Sequence, residues 1–94
     1  MNKYESVIII NPDLEDEQRK KLIAKVETLI NNKGKVTKID EMGKKKLAYE
    51  IQKCKEAFYV VFYFDAEASF ISELERNFRI TEEVLKFITV RKDG

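Results

Sequence analysis

The chain opens with an apolar run, "YESVIIIN", whose β-branched residues point to both faces before Asn11-Pro12 stops it. That pattern predicts a central strand. The following stretch, "DLEDEQRKKLIAKVETLINNKG", changes period. Leu22, Ile23, Val26, Leu29 and Ile30 form one helical stripe. Acidic residues lead it, lysines follow, and Gly34 closes it, as the helix dipole and a glycine C-cap favour.

"KVTKIDEM" carries Val36 and Ile39 among polar residues and predicts a half-buried strand, with Gly43 and the lysines after it as the turn. In "KLAYEIQ", Leu47, Tyr49 and Ile51 alternate with Ala48, Glu50 and Gln52, a period of two. "AFYVVFYF" is apolar throughout and predicts a second central strand. Residues 47–64 then read as one strand, interrupted near Lys53 to Glu56 and paired with 35–41 as a hairpin. Phe70, Ile71, Leu74 and Phe78 restore helical spacing, and "VLKFITVRK" ends as a strand.

The order β-α-β-β-α-β predicts an α+β, ferredoxin-like split β-α-β sandwich in a single domain spanning 1–94. Right-handed crossovers place both helices on one face of a four-stranded antiparallel sheet, with the first and third strands central. The other face should then be polar. Yet the first strand offers Val7 and Ile9 on one side against Ile8 and Ile10, and the third offers Tyr59, Val61 and Tyr63 against Phe58, Val60, Phe62 and Phe64. Two outcomes stand open. The surplus apolar face docks a partner, or tails and lysine stems cover it.

Composition narrows the chemistry. Across 94 residues, 18 basic side chains nearly balance 17 acidic ones, so net charge alone does not indicate nucleic acid. There is no histidine and one cysteine, Cys54, which excludes an internal disulfide, a thiol–imidazole pair and a Cys/His zinc site. The serines and threonines lack a histidine base. Asp13, Glu15, Asp16 and Glu17 read as helix-dipole compensation, and Glu82-Glu83 as solvated surface. The glycines are isolated and form no phosphate loop. No catalysis, cofactor or metal is expected. Val7 to Ile10 is too short for a membrane span or signal segment, so a cytoplasmic protein with no membrane partner is expected.

A ferredoxin-like fold invites comparison with RNA recognition motifs, which stack bases on third-strand aromatics. "KEAFYVVF" matches that consensus only in part: Glu56 replaces its glycine, Ala57 an aromatic and Phe58 a small residue. The lysines are better candidates. Lys44, Lys45, Lys46, Lys53, Lys55, Arg76, Arg79, Arg91, Lys92 and Lys3 could gather in part at the sheet's rim and meet phosphates, or simply be solvated.

Three separated motifs carry a family resemblance. "MGKKKLAYEIQK" has a glycine, basic residues, Leu-Ala-Tyr, one residue, then Ile, carried by Gly43, Lys45, Leu47, Ala48, Tyr49 and Ile51. Tyr4-Glu5 with Asn11-Pro12, and "ERNFRITEEVLKFITVR", agree in order and spacing. Together they resemble the bacterial small-subunit ribosomal protein six family over essentially the whole chain. Glu50 departs from the proline usual there, and the sequence stops at Gly94 where some members carry a longer tail.

The resemblance implies a structural protein of the small ribosomal subunit. It would bind the central domain of small-subunit ribosomal RNA cooperatively with small-subunit ribosomal protein eighteen, and be a monomer when free. It implies RNA contacts from Asn2, Lys3, Lys45, Lys46, Arg79, Arg91 and Lys92. It gives the surplus apolar face to the protein partner, through Tyr49, Ile51, Tyr59, Val61 and Tyr63. The competing reading is a ferredoxin-like ligand-binding or regulatory module that self-associates through its sheet, with incidental lysines.

Overall fold

A computed structural model describes residues 1–92. The elements run β1 (Asn2–Ile10), α1 (Asp16–Lys33), β2 (Gly34–Ile51), β3 (Cys54–Ala66), α2 (Ala68–Ile80) and β4 (Val84–Arg91). The strands form one sheet in the order β2-β3-β1-β4, with every neighbouring pair antiparallel. The split β-α-β arrangement is as the periodicity predicts, with β1 and β3 central.

The core lies between the helices and one face of the sheet. Tyr4, Ile8 and Ile10 of β1 and Val60, Phe62 and Phe64 of β3 meet Leu22, Ile23, Val26 and Ile30 of α1. Phe70, Leu74 and Phe78 of α2 complete it. Phe62 and Phe64 are each 1% exposed, and burial of such a ring contributes about 1.5–3 kcal/mol. Register explains the shared face: Tyr4 lies opposite Phe64, Ile8 opposite Val60 and Ile10 opposite Phe58. Ser6 is fully buried among them and shares a hydrogen bond with the Thr89 hydroxyl at 2.8 Å.

At the start of α1 the Glu15 backbone N–H donates to Gln18 Oε1 (3.1 Å), with Asp16 and Glu17 in the first turn. At its end Gly34 plays a different part from the left-handed cap its position predicts. Its φ of −158° is extended backbone. A Cβ there would overlap the Asp65 carbonyl oxygen, so glycine is needed for close approach to β3.

The predicted hairpin turn is also displaced. Gly43 and the lysines do not turn the chain, because β2 continues through them to Ile51. Lys44 lies opposite Phe58, Lys45 opposite Ala57 and Lys46 opposite Glu56. The turn is Gln52-Lys53, both at positive φ (49° and 66°), as a two-residue type I′ hairpin requires. Residues 47–51 therefore belong to β2, not to one strand with 57–64. Gly43 keeps a special conformation, φ 79°, at a register break between Glu41 and Gly43. It permits a bulge. Further breaks fall at Val36/Lys38 and Lys46/Ile51.

Candidate nucleic-acid and partner interface

The β2–β3 hairpin runs past the end of β1. Ile10, the last residue of β1, lies opposite Phe58, so β3 residues before Phe58 have no β1 neighbour. These residues and the distal half of β2 form an arm. The cations Lys44, Lys45, Lys46, Lys53 and Lys55 share it with Glu50 and Glu56. An open cleft of about 740 Å³ separates the arm from Pro12 and Asp13. Lys44 Nζ sits 5.3 Å from the centre of the Phe58 ring, which also carries the Arg19 guanidinium at 4.1 Å. Arg19 in turn pairs with Asp16 at 2.8 Å, pinning the start of α1 to the hairpin.

The other predicted RNA contacts fall elsewhere. Asn2 lies opposite Ala66, Lys3 opposite Asp65, and Tyr4 opposite Arg91. Asn2 Nδ2 donates to the Tyr4 hydroxyl (3.3 Å). The Lys92 backbone N–H donates to the Lys3 carbonyl (2.8 Å), and its ammonium lies 3.3 Å from Glu5. Asn2, Lys3, Arg91 and Lys92 are thus brought together at one end of the sheet. Lys45 and Lys46 are at the opposite end. From Asp65 to Ala57, the β3 partners of Lys3 and Lys45, is eight residues of strand, or about 26 Å. Arg79, in the last turn of α2, lies over the Phe87 ring at 5.7 Å, on the β4 side of the sheet. The rim gathers some of the predicted cations into two patches rather than one.

The helix-free face carries the predicted partner contacts. Tyr59, Val61 and Tyr63 lie opposite Ile9, Val7 and Glu5. Lys38 Nζ is 5.5 Å from the Tyr63 ring. Val61 is only 4% exposed and contributes almost no surface; its neighbours already cover it. The exposed apolar surface comes instead from Tyr49 (64%), Ile88 (49%) and Val90 (43%). Ile88 and Val90 escaped the sequence reading. Their alternation with Phe87 and Thr89 in "KFITVR" was the available signal.

Part of this face is covered by the chain itself, by the arm and by the lysine side chains of Lys38 over Tyr63 and Lys86 over Tyr49. Leu47, Ala48, Tyr49 and Ile51 of the arm line a cavity of about 240 Å³ with Val7, Ile9 and Ile88 of the sheet. Lys86 Nζ donates to the Tyr49 hydroxyl (3.0 Å) and lies 5.6 Å from its ring.

Among the described residues, no group of three or more Cys, Asp or Glu side chains is placed to hold a metal ion. No helix among them is long and apolar enough to cross a membrane.

Comparison with known proteins fits this architecture. Residues 3–91 match the family model described as Ribosomal protein S6. The chain is 44% identical to the small ribosomal subunit protein bS6 of Thermoanaerobacter pseudethanolicus, over 99% of each chain. It is also 44% identical to that of Acidobacterium capsulatum, over 96% of this chain and 64% of that protein. The crystal structure of 30S ribosomal protein S6 from Thermotoga maritima superposes with a TM-score of 0.93 at 38% identity. That match covers 97% of this chain and 87% of the other. The family is one of structural ribosomal proteins and not of enzymes. A matching family model over nearly all its length, close relatives and a shared fold together place this chain in the ribosomal protein S6 family.

Proposed function

We propose that this chain, as a structural constituent of the small ribosomal subunit in the bacterial cytoplasm, binds the central domain of small-subunit ribosomal RNA together with small-subunit ribosomal protein eighteen. The observation that carries this reading is the division of the surface. Cations occupy both ends of the sheet, while Tyr49, Tyr59, Ile88 and Val90 leave an apolar face between them without a covering helix. Phosphates take the ends and the protein partner takes the face. A net charge of +1 supports shared work: affinity for RNA then depends on charge the partner adds. Two weak surfaces joined in one complex gain affinity through effective concentration.

The free chain is a monomer in this reading. β2 is an exposed edge strand, but its three register breaks and its lysines oppose edge-to-edge pairing. Sheet-to-sheet homodimers in sedimentation would favour the self-associating module instead.

The test is binding to a central-domain RNA fragment with and without protein eighteen, across a salt series. Binding that needs the partner and weakens with salt is expected. Replacing Lys45 and Lys46 by alanine should flatten the slope of log affinity against log salt by roughly one unit for each phosphate no longer neutralised. Replacing Arg91 and Lys92 should do so independently, because the patches lie far apart. An unchanged slope returns those residues to solvated surface.

A further inference from the structure

We propose that the cavity between the arm and the helix-free face is a socket for one large apolar side chain of a protein partner, and that Lys86 receives a carboxylate beside it. The inference rests on the reading that this face docks a protein, and names the chemistry of the docking segment.

The cavity's volume of about 240 Å³ exceeds the roughly 150 Å³ that suffices for a benzene-sized guest. Val7, Ile9 and Ile88 form its floor, and Leu47 and Ala48 its roof. Its lining is apolar apart from the Tyr49 and Tyr59 hydroxyls and the Lys86 ammonium, and such a lining suits a buried anchor side chain, the element that dominates protein interfaces. A nucleobase would find few hydrogen-bond partners there beyond the two tyrosine hydroxyls and Lys86, so most of its ring donors and acceptors would lose water without replacement. At the rim, Lys86 has the neutral Tyr49 hydroxyl as its hydrogen-bond acceptor, and no carboxylate partner among the described residues. An ammonium beside an apolar socket complements an aromatic or large aliphatic residue with an acidic neighbour or a terminal carboxylate.

The experiment is an NMR titration of the intact chain with N-acetylphenylalanine, its amide, and uridine monophosphate. The acid should shift the amides of Val7, Ile9, Ala48 and Ile88 saturably, and bind roughly fivefold tighter than the amide, as an exposed ion pair allows. Lys86→Met should erase that difference. Ala48→Leu, which adds bulk to the socket's lining, should weaken binding while the remaining spectrum stays native. Shifts scattered over the face, equal binding of acid and amide, or equal binding of the nucleotide would each overturn the proposal. Binding of protein eighteen separates the two readings. If Val90→Arg, outside the socket, leaves that binding unchanged, the docking reading fails. If Val90→Arg weakens it and Ala48→Leu does not, the face docks the partner and the socket proposal alone is overturned.

Discussion

The Lys86 ammonium on β4 donates to the Tyr49 hydroxyl on β2 at 3.0 Å, although β3 and β1 lie between those strands in the sheet. The two edge strands meet because residues 47–50 bulge out of the β2–β3 ladder, between the Lys46–Glu56 and Ile51–Cys54 pairs, and reach over the helix-free face. Tyr49 is 64% exposed, so the contact fastens the arm without contributing much to global stability. Tyr49→Phe should cost less than about 1 kcal/mol in denaturant unfolding. Amide exchange over residues 47–51 should nevertheless speed up markedly. Unchanged exchange would mean that apolar contacts alone hold the arm.

The turn at Gln52-Lys53 uses two residues that gain nothing from positive φ. Left-handed backbone costs a non-glycine residue roughly 1 kcal/mol. Gln52→Asn combined with Lys53→Gly should therefore raise stability by about 1 kcal/mol, visible as a melting temperature higher by several degrees. A fall in stability would show that these side chains contribute more than the backbone strain they cause.

Gly34 predicts the opposite sign. Elsewhere, replacing glycine by alanine stabilises by restricting the unfolded chain. Here the added methyl would meet the Asp65 carbonyl oxygen and force β2 away from β3. Gly34→Ala should destabilise by about 1–3 kcal/mol. Stabilisation by this substitution would disprove the close approach.

Ser6 and Thr89 provide a double-mutant cycle. Their hydroxyls bond at 2.8 Å between adjacent strands, and Ser6 is completely buried. Ser6→Ala alone should cost about 1 kcal/mol or more, since it leaves the Thr89 hydroxyl without its partner. Ser6→Ala with Thr89→Val should cost less than the sum of the single changes. Strict additivity would mean that the hydroxyls do not interact.

How far the site was legible follows the same division. Alternation groups Tyr59, Val61 and Tyr63 on one face without saying which face the helices leave open. The packing of Val60, Phe62 and Phe64 against the helices decides it, and register sets Tyr59 and Tyr63 beside Ile9 and Glu5. Val61 shared that face but not its exposure, because alternation gives direction and says nothing of what neighbours cover. Lys45 and Lys46 could not be separated from Lys3 and Lys92 in one dimension. Their distance depends on which residues of β3 each strand pairs with.

Local period and punctuation along the chain were enough to specify the element order. The stripe from Leu22 to Ile30, the β-branched run at Val7 to Ile10 and the stop at Asn11-Pro12 carried it. A right-handed connection of those elements then left one sandwich topology. The three motifs, that around Tyr49 among them, carried the family resemblance. Long-range pairing set the rest. Gln52-Lys53 carries no turn signal, so the hairpin's end was set by bulges and pairing register along β3. Gly34 looked like a cap and serves a close approach. The crossing of Tyr49 to Lys86 joins residues far apart in the chain, and only the folded sheet brings them within hydrogen-bonding distance.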